Sequence, residues 1–445
     1  MRMLDCWPRR PSPRTGPRCR RFLVASLLMK NPTSTAEKGE ATHYSEPAVQ
    51  GVMTRARSRR MAAAATAVST VTMDLPEEIL AWEIFVRLPA KDVLRCRAVC
   101  RSWRGLTSTA DFLLAHHRRQ PSLPLLTLCG STNRRLPMFQ GGRPVLTFDD
   151  FQGFELHASC DGLMVLALSG DRFAICNPAT HQCALLPGLS DDRRDGHIGI
   201  QAMYLHRPSG EYRILYMKRR YKQPHPDAAH YILALRLGLG GSSRRIGITS
   251  DSPDMEKNII QAWHRDNMVS PVVFRSCLHW DPGFRRNDTG IIVFDTEAES
   301  FRFMRRPAAA TSFCTRLCDM EGFICFSCFN VCETAAKIWV LEDYEREIWA
   351  FKYQVKFPVE NLCNLQDRQH LVLSAEGDML VYSNTELYMF QCDNTGNSVK
   401  EFRFGSLGSS IISGHWFKES LVNHDFFPRR GDALLAGQPD LFRML

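Results

Sequence analysis

One stretch of about forty residues constrains the fold of this chain most, because it carries the strongest short-range helical pattern in the sequence. Pro76 and the two acids after it are typical of a helix start, since proline fits the first helical position and acids stabilise the N-terminal end. Leu80, Ile84 and Leu88 recur at a spacing of four and therefore share one helix face. Pro89 ends this helix, and everything after residue 118 is expected to be β.

A second apolar helix is predicted from Val93 to Trp103, with arginines among its apolar residues. Trp82 and Phe85 add apolar surface to the first helix, which is thus apolar nearly all round. Such a helix is stable when most of its surface is buried. Two helices alone have too small a core to achieve this, so their surplus apolar surface predicts contact with another protein.

Several motifs in this stretch resemble the F-box motif in order and spacing: Leu75-Pro76, Arg87-Leu88-Pro89-Ala90-Lys91, Val99-Cys100-Arg101-Ser102-Trp103-Arg104 and Phe112. The resemblance implies a helical unit that docks on a Skp-type adaptor and, through it, on the cullin and RING subunits of an SCF-type ubiquitin ligase. It implies adaptor contacts at Leu75, Pro76, Ile79, Leu80, Ile84, Leu88, Pro89, Leu94, Val99 and Trp103. Trp82 and Phe85 are bulkier than the residues that many F-boxes carry there. The alternatives are a hairpin that packs on its own downstream domain or one that mediates self-association.

The formal net charge of +9 comes from the N-terminal segment. Residues 1–72 hold 13 Lys and Arg against 4 Asp and Glu, which leaves 43 of each sign in the rest of the chain. Because the remainder is neutral overall, composition gives no support for nucleic acid as a partner.

We predict three parts: a disordered basic leader at 1–72, a helical domain at 73–118 and a β domain at 119–445. The leader has few residues that could form a core. Two other interpretations of the leader stay open. It is either a targeting segment, with residues 55–60 as a nuclear-import cluster, or an upstream extension of the gene model.

The 16 cysteines sit largely within apolar runs, where a thiol behaves as a small hydrophobic group. We therefore expect reduced thiols and a location in the nucleus, the cytoplasm or both. No apolar run is long enough to predict a transmembrane helix. Five cysteines at 314, 318, 325, 328 and 332 suggest zinc, but a strand through this region would turn Cys325 and Cys328 to opposite faces. We expect packed thiols, no metal and no cofactor.

The sequence of the β region predicts repeated four-stranded units. Near its end, short β-rich runs alternate with turns that contain Gly, Asn and Asp. Turns that begin at Asn177, Asp295 and Asp393 correspond to one another, and the turn at Asp343 is a looser fourth member. Positions 295, 343 and 393 are 48 and 50 residues apart. A period near 50 is typical of propeller blades, and the region accommodates roughly six. We therefore expect an α+β multidomain chain with a β-propeller; an irregular β-sandwich is the alternative.

This region also resembles the F-box-associated domain of plant F-box proteins. The matching pieces are Ser159–Leu163, Ile175–Thr180 with Leu186-Pro187, and Ile348–Tyr353. Neither a Gly-x-Ser-x-Gly nor a His-Glu-x-x-His motif is present, and we expect no catalytic activity. The two resemblances together imply a substrate-recognition subunit that presents an unidentified target protein for ubiquitination. The alternative from a different class is a propeller that binds a glycan or small ligand and self-associates through its helices.

Overall fold

A computed structural model describes most of the chain between residues 75 and 427. The described ranges are 75–129, 134–137, 144–147, 154–168, 172–186, 189, 196–220, 227–236, 243–247, 253–263, 270–282, 290–308, 314–320, 322–330, 335–357, 370–374, 376–383, 388–402 and 409–427. The predicted leader at 1–72 lies outside them. Within these ranges, no helix has both the length and the apolar character needed to cross a membrane.

The described N-terminal part is helical. A first helical stretch begins as α1 (Glu77–Ile79), continues as a π-helical turn (Leu80–Ile84) and ends as a 3₁₀ turn (Phe85–Arg87). It is followed by α2 (Ala90–Val99), α3 (Arg101–Leu106) and α4 (Ala110–Arg119). We refer to residues 75–119 as the hook. A further helix, α5 (Pro253–Trp263), lies within the β region.

The remaining described elements are strands. They are β1 (Ser122–Cys129), β2 (Arg134–Pro137), β3 (Pro144–Thr147), β4 (Glu155–Cys160), β5 (Leu163–Leu168), β6 (Arg172–Asn177), β7 (Gln182–Leu185), β8 (Gly196–His206), β9 (Glu211–Arg220), β10 (Asp227–Ala234), β11 (Ser243–Ile246), β12 (Val272–Phe274), β13 (Cys277–Trp280), β14 (Ile291–Asp295), β15 (Ser300–Met304), β16 (Cys314–Met320), β17 (Phe323–Asn330), β18 (Ala335–Asp343), β19 (Ile348–Lys356), β20 (His370–Val372), β21 (Met379–Ser383), β22 (Tyr388–Cys392), β23 (Ser398–Phe402) and β24 (Ser409–Lys418).

These strands form six four-stranded antiparallel sheets, each the size of a propeller blade. Blade 1 has the order β24-β1-β2-β3; blades 2 to 6 are β4–β7, β8–β11, β12–β15, β16–β19 and β20–β23. The innermost strands of successive blades contact one another in the order β12, β16, β20, β24, β4 and β8. The prediction of a β-propeller is confirmed, and the alternative of a β-sandwich is wrong.

The ring is closed by strands from the two ends of the β region. β24 pairs antiparallel with β1, from Ser122 opposite Lys418 to Cys129 opposite Ser409. The last strand of the domain is thus the innermost strand of the blade that contains the first. Closure of this kind removes a sheet edge that would otherwise be open to another chain.

Two predictions about helices need correction. The predicted second helix is broken at Cys100, whose backbone is extended and whose Sγ accepts the Trp103 N–H at 3.4 Å. Cys100 therefore caps α3 and makes the single predicted helix into two. The expectation that everything after residue 118 is β is wrong at α5, where Ile259 and Trp263 are four residues apart and both buried.

The predicted correspondence between the turns is confirmed by their hydrogen bonds. In each, a side-chain oxygen accepts backbone N–H groups two to four residues further on, at 2.8–3.1 Å. The four residues are Asn177, Asp295, Asp343 and Asp393. Each ends or directly follows the third strand of its blade.

Two of these turns also join neighbouring blades. The residue four positions after Asp295 is Glu299, and its carboxylate contacts Arg213 of blade 3 at 2.5 Å. The equivalent residue after Asp343 is Glu347, which pairs with Arg305 of blade 4 at 3.1 Å. Both glutamates adopt positive φ angles of 51° and 57°. In these two turns, the positive φ angle therefore directs a glutamate carboxylate toward the preceding blade.

We expect the propeller to lose stability as the pH falls from 6.5 to about 3. Burial lowers the pKa of His230, His370 and His415 to about 3 and that of His279 to about 4. A histidine whose folded pKa lies below its unfolded value stabilises the fold fully above pH 6.5 and loses this contribution as the pH falls. The loss is about 2 kcal/mol per histidine at pH 5. Urea unfolding at pH 7 and pH 5 measures it, and equal free energies of unfolding at the two pH values would contradict the expectation.

Candidate functional site

The hook has a small core of its own. Phe85, Val86, Val93 and Phe112 are buried together with Leu421, which comes from the other end of the described chain. His116 in α4 donates its Nε2–H to the Leu88 carbonyl at 2.8 Å and so ties α4 to the end of the first helical stretch. Burial lowers the pKa of His116, which favours its neutral form.

The ten predicted adaptor contacts fall into two groups. Six are exposed: Leu75, Pro76, Ile79, Pro89, Leu94 and Val99. Four are half-buried and pack against the hook core: Leu80, Ile84, Leu88 and Trp103. The first group offers apolar surface that a partner can bury, with Val99 65% and Leu75 50% exposed. The second group holds the helices together.

The two bulky residues of the first helical stretch have different environments. Phe85 is 2% exposed and its ring meets that of Trp103 edge-on at 4.9 Å. Trp82 is 41% exposed, and its ring lies 6.2 Å from that of Phe112. Phe85 therefore serves the core, whereas Trp82 adds to the exposed apolar surface of the hook.

After β24 the chain continues as a segment that fixes the hook, and we call residues 419–427 the strap. The Ala90 N–H, at the start of α2, donates to Glu419 Oε2 at 2.8 Å. A carboxylate at this position also stabilises the positive end of the helix dipole. His117 Nδ1 donates to the Glu419 carbonyl at 3.0 Å, and Leu421 is 1% exposed within the hook core.

The strap also contacts blade 2. Asn177 Nδ2 donates to the Ser420 carbonyl at 3.1 Å, so the first of the repeated turns holds the strap as well as its own blade. Gly162, in the turn between β4 and β5, has a φ of +84° and lies directly against Ser420. A Cβ at this glycine would come within 2.8 Å of the Lys418 carbonyl oxygen.

Asp161 connects the hook, blade 2 and blade 3. Its Oδ1 lies 3.5 Å from His117 Nε2, and its Oδ2 accepts the Tyr212 O–H at 3.1 Å. Burial alone would raise the pKa of Asp161, but the hydrogen bonds from His117 and Tyr212 hold it below its ordinary value. The carboxylate therefore stays ionised at neutral pH and stabilises the junction.

Sequence reasoning found the exposed residues of the hook but missed Glu419, Leu421 and Asp161. Glu419 is 329 positions from Ala90, and no local pattern marks such a contact. Leu421 and Val422 look in the sequence like the apolar end of an ordinary strand, so nothing marks them as part of the hook core. The contacts that fix the hook follow from closure of the propeller and have no short-range signal.

The predicted faces of the cysteine-rich strand are confirmed. Cys325 and Cys328 lie on β17 and belong to separate apolar clusters, Cys325 with Cys318 and Cys328 with Trp339. Cys332 lies outside the described residues. Across the part of the chain that the structure describes, no group of three or more His, Cys, Asp or Glu side chains is arranged to hold a metal ion.

Comparison with known families decides the assignment. The model for the F-box associated beta propeller domain matches residues 145–427, well over half of the chain, and the F-box-like model matches residues 72–119. The chain belongs to the F-box proteins with an F-box-associated propeller. The strap lies inside the propeller match, and the hook is the F-box.

The relatives agree with this assignment. F-box protein CPR1 of Arabidopsis thaliana is 24% identical over 74% of this chain and 83% of its own length. F-box protein At3g07870 of the same plant is 25% identical over 63% of this chain and 72% of its own. Among solved structures, a periplasmic gluconolactonase of Pseudomonas aeruginosa has a TM-score of 0.35 and 11% identity over 67% of this chain and 99% of that chain. A likeness this weak carries no argument about activity.

The two matched domains support a substrate-adaptor role for this F-box protein. An F-box implies binding to a Skp-type adaptor, and the propeller then binds the target. F-box proteins are in general adaptor subunits without catalytic activity. The contribution of each exposed F-box residue to adaptor binding stays a prediction.

We expect Gly162→Ala to destabilise the junction between the F-box and the propeller more than Gly210→Ala does. Both glycines have positive φ angles, of 84° and 68°, so both variants bear the cost of a left-handed alanine, about 1–2 kcal/mol. Only Gly162 faces the strap; nothing lies within 4 Å of a Cβ at Gly210. Overpacking adds about 1–3 kcal/mol at Gly162. Urea unfolding of both variants measures the difference, and equal losses would contradict the described junction.

Proposed function

We propose that this F-box protein is the substrate-recognition subunit of an SCF-type cullin–RING ubiquitin ligase. The F-box binds a Skp-type adaptor and, through it, the cullin and RING subunits, while the propeller binds a target protein. The observation that supports this most is the exposed apolar set on a domain whose own core is already filled. Burial of such apolar groups under a partner removes them from water and therefore stabilises the complex.

The mechanism is proximity. A receptor that holds a target lysine near a ubiquitin-charged conjugating enzyme raises the effective concentration of the two reactants. The strap supports this mechanism because it fixes the F-box to blade 2 by contacts on both sides. A target bound on the propeller is then held at a defined position relative to the F-box. The receptor itself contributes no reacting group.

We also propose that the protein acts in the nucleus, the cytoplasm or both. The ten cysteines assigned in the described part of the chain are all free thiols. Six of them are buried. Free thiols in this number are typical of reducing compartments.

The double substitution Ile79→Asp with Val99→Asp should reduce adaptor binding at least tenfold without unfolding the protein. The two side chains are 41% and 65% exposed, so charges there are tolerated in the free chain but would be buried by the adaptor. Leu114→Asp is the matched control, since Leu114 is 44% exposed on α4 and outside the predicted contact set. Co-purification with a Skp-type adaptor measures the effect.

Unchanged adaptor binding by the double variant would contradict the proposed contact surface. The self-association alternative makes a separate prediction, because the same side chains would then join two copies of the chain. Light scattering of the purified protein would show a homodimer that the double variant dissociates. Co-purification of the cullin tests whether the protein acts within the ligase or as an F-box scaffold outside it.

A further inference from the structure

Charge is unevenly distributed around the propeller. The described residues of blade 3, at 196–220, 227–236 and 243–247, include eight Lys and Arg but two Asp and Glu. The described residues of blade 4, at 270–282 and 290–308, include four of each sign, and those of blade 5, at 314–320, 322–330 and 335–357, include five of each. The overall neutrality of the β region therefore conceals one strongly basic blade.

Some of the blade 3 cations are compensated. Glu211 pairs with Arg213 at 3.1 Å and with Arg236 at 2.9 Å. Glu299, which the neighbouring blade contributes through its repeated turn, pairs with both Arg213 and Arg244. These contacts explain the arginines on the side of blade 3 that faces blade 4.

The opposite side of blade 3 carries cations of a different kind. Successive residues on a strand point to opposite faces, so Arg245 points away from Arg244 and its partner Glu299. Arg245 is exposed and lies directly opposite Tyr231 in the sheet. Lys218 Nζ lies 5.5 Å from the centre of the Tyr231 ring. Among the carboxylates whose side chains the structure describes, none forms an ion pair with Lys218 or Arg245; the blade 3 ion pairs involve Arg213, Arg236 and Arg244 instead.

The tyrosine between these two cations is well supported. The Tyr231 ring stacks on Tyr216 at 5.5 Å with 23° between the ring planes. Tyr216 is fully buried and its hydroxyl contacts Ser243 Oγ, whereas Tyr231 is half-buried. The three residues Lys218, Tyr231 and Arg245 therefore form a cationic surface around a fixed aromatic ring, which we call the blade 3 surface.

We propose that the blade 3 surface binds an acidic segment of the target protein, in which carboxylate or phosphate groups flank an apolar or aromatic side chain. Lysine and arginine side chains form charge-assisted hydrogen bonds with such groups, and the tyrosine ring offers apolar contact. Complementary charge also accelerates encounter and excludes basic partners. Blade 3 is tied to the F-box through Tyr212 and Asp161, so a segment bound there is held at a defined place. This inference rests on the proposed function and names its class of target.

The test is a selection of 12-residue peptides from a random displayed library on the full chain in complex with a Skp-type adaptor. We expect the selected peptides to be enriched in Asp and Glu. We further expect them to bind the double variant Lys218→Glu with Arg245→Glu at least tenfold more weakly. Their affinity for the unchanged protein should fall as salt is raised, because exposed charges are screened. Lys356→Glu, an exposed lysine of the charge-balanced blade 5, is the matched control and should bind like the unchanged protein.

Two further arms identify the source of the negative charge. Replacing the acids of a selected peptide with phosphoserine compares phosphate with carboxylate, and tighter binding of either form supports the proposal. A single-stranded 12-nucleotide RNA that competes more strongly than the peptides, and loses binding in the same variant, would overturn it in favour of nucleic acid.

Other results would overturn the proposal directly. These are selected peptides without acidic enrichment, equal peptide binding by the double variant, or a library that yields no binding peptide. Adaptor co-purification is measured on the same samples. Loss of the adaptor from the unchanged protein would count against the proposed function, whereas loss of peptide binding with the adaptor retained concerns only the blade 3 surface.

Discussion

The pairing of β24 with β1 is the interaction on which the rest of the structure depends. It closes the propeller by joining strands about 290 residues apart, so a long chain segment must be ordered before this contact forms. The same strand then runs directly into the strap, which caps α2 through Glu419 and fills the F-box core with Leu421. Closure of the ring and attachment of the F-box are therefore one structural event. A defect in either is expected to weaken the other.

This arrangement gives the receptor a fixed geometry. The F-box touches the propeller at the turns that begin with Asp161 and Asn177, and both turns are tied to the strap or to the F-box by hydrogen bonds. Four of the ten residues predicted to contact a partner instead serve the internal packing of the F-box. Leu75, Ile79, Leu94 and Val99 remain exposed, and their exposure is what an adaptor would remove. The F-box thus has one set of apolar residues that packs its core and another set that stays exposed and can contact a partner.

Local sequence patterns predicted much of this structure. The repeated Asn and Asp turns, the period near 50 and the apolar stripe of the F-box could all be predicted, because each is a regular spacing of residue types along the chain. The break at Cys100 could not be foreseen from apolar periodicity, since a cysteine sulfur replaced the usual capping oxygen. The helix at Pro253–Trp263 had a readable spacing but lay where a blade was expected. The strap and the basic blade depend on distant partners and on which strands become neighbours, so composition alone concealed both.

The most direct test of this account is hydrogen exchange of the full chain, alone and in complex with a Skp-type adaptor. We expect slower exchange in the amides of residues 75–106 when the adaptor is bound. Exchange in β1, β24 and the strap should be slow in both states, because these amides belong to one closed and buried unit. Protection that appears on the propeller and not on the F-box, or faster exchange of the strap in the complex, would contradict it.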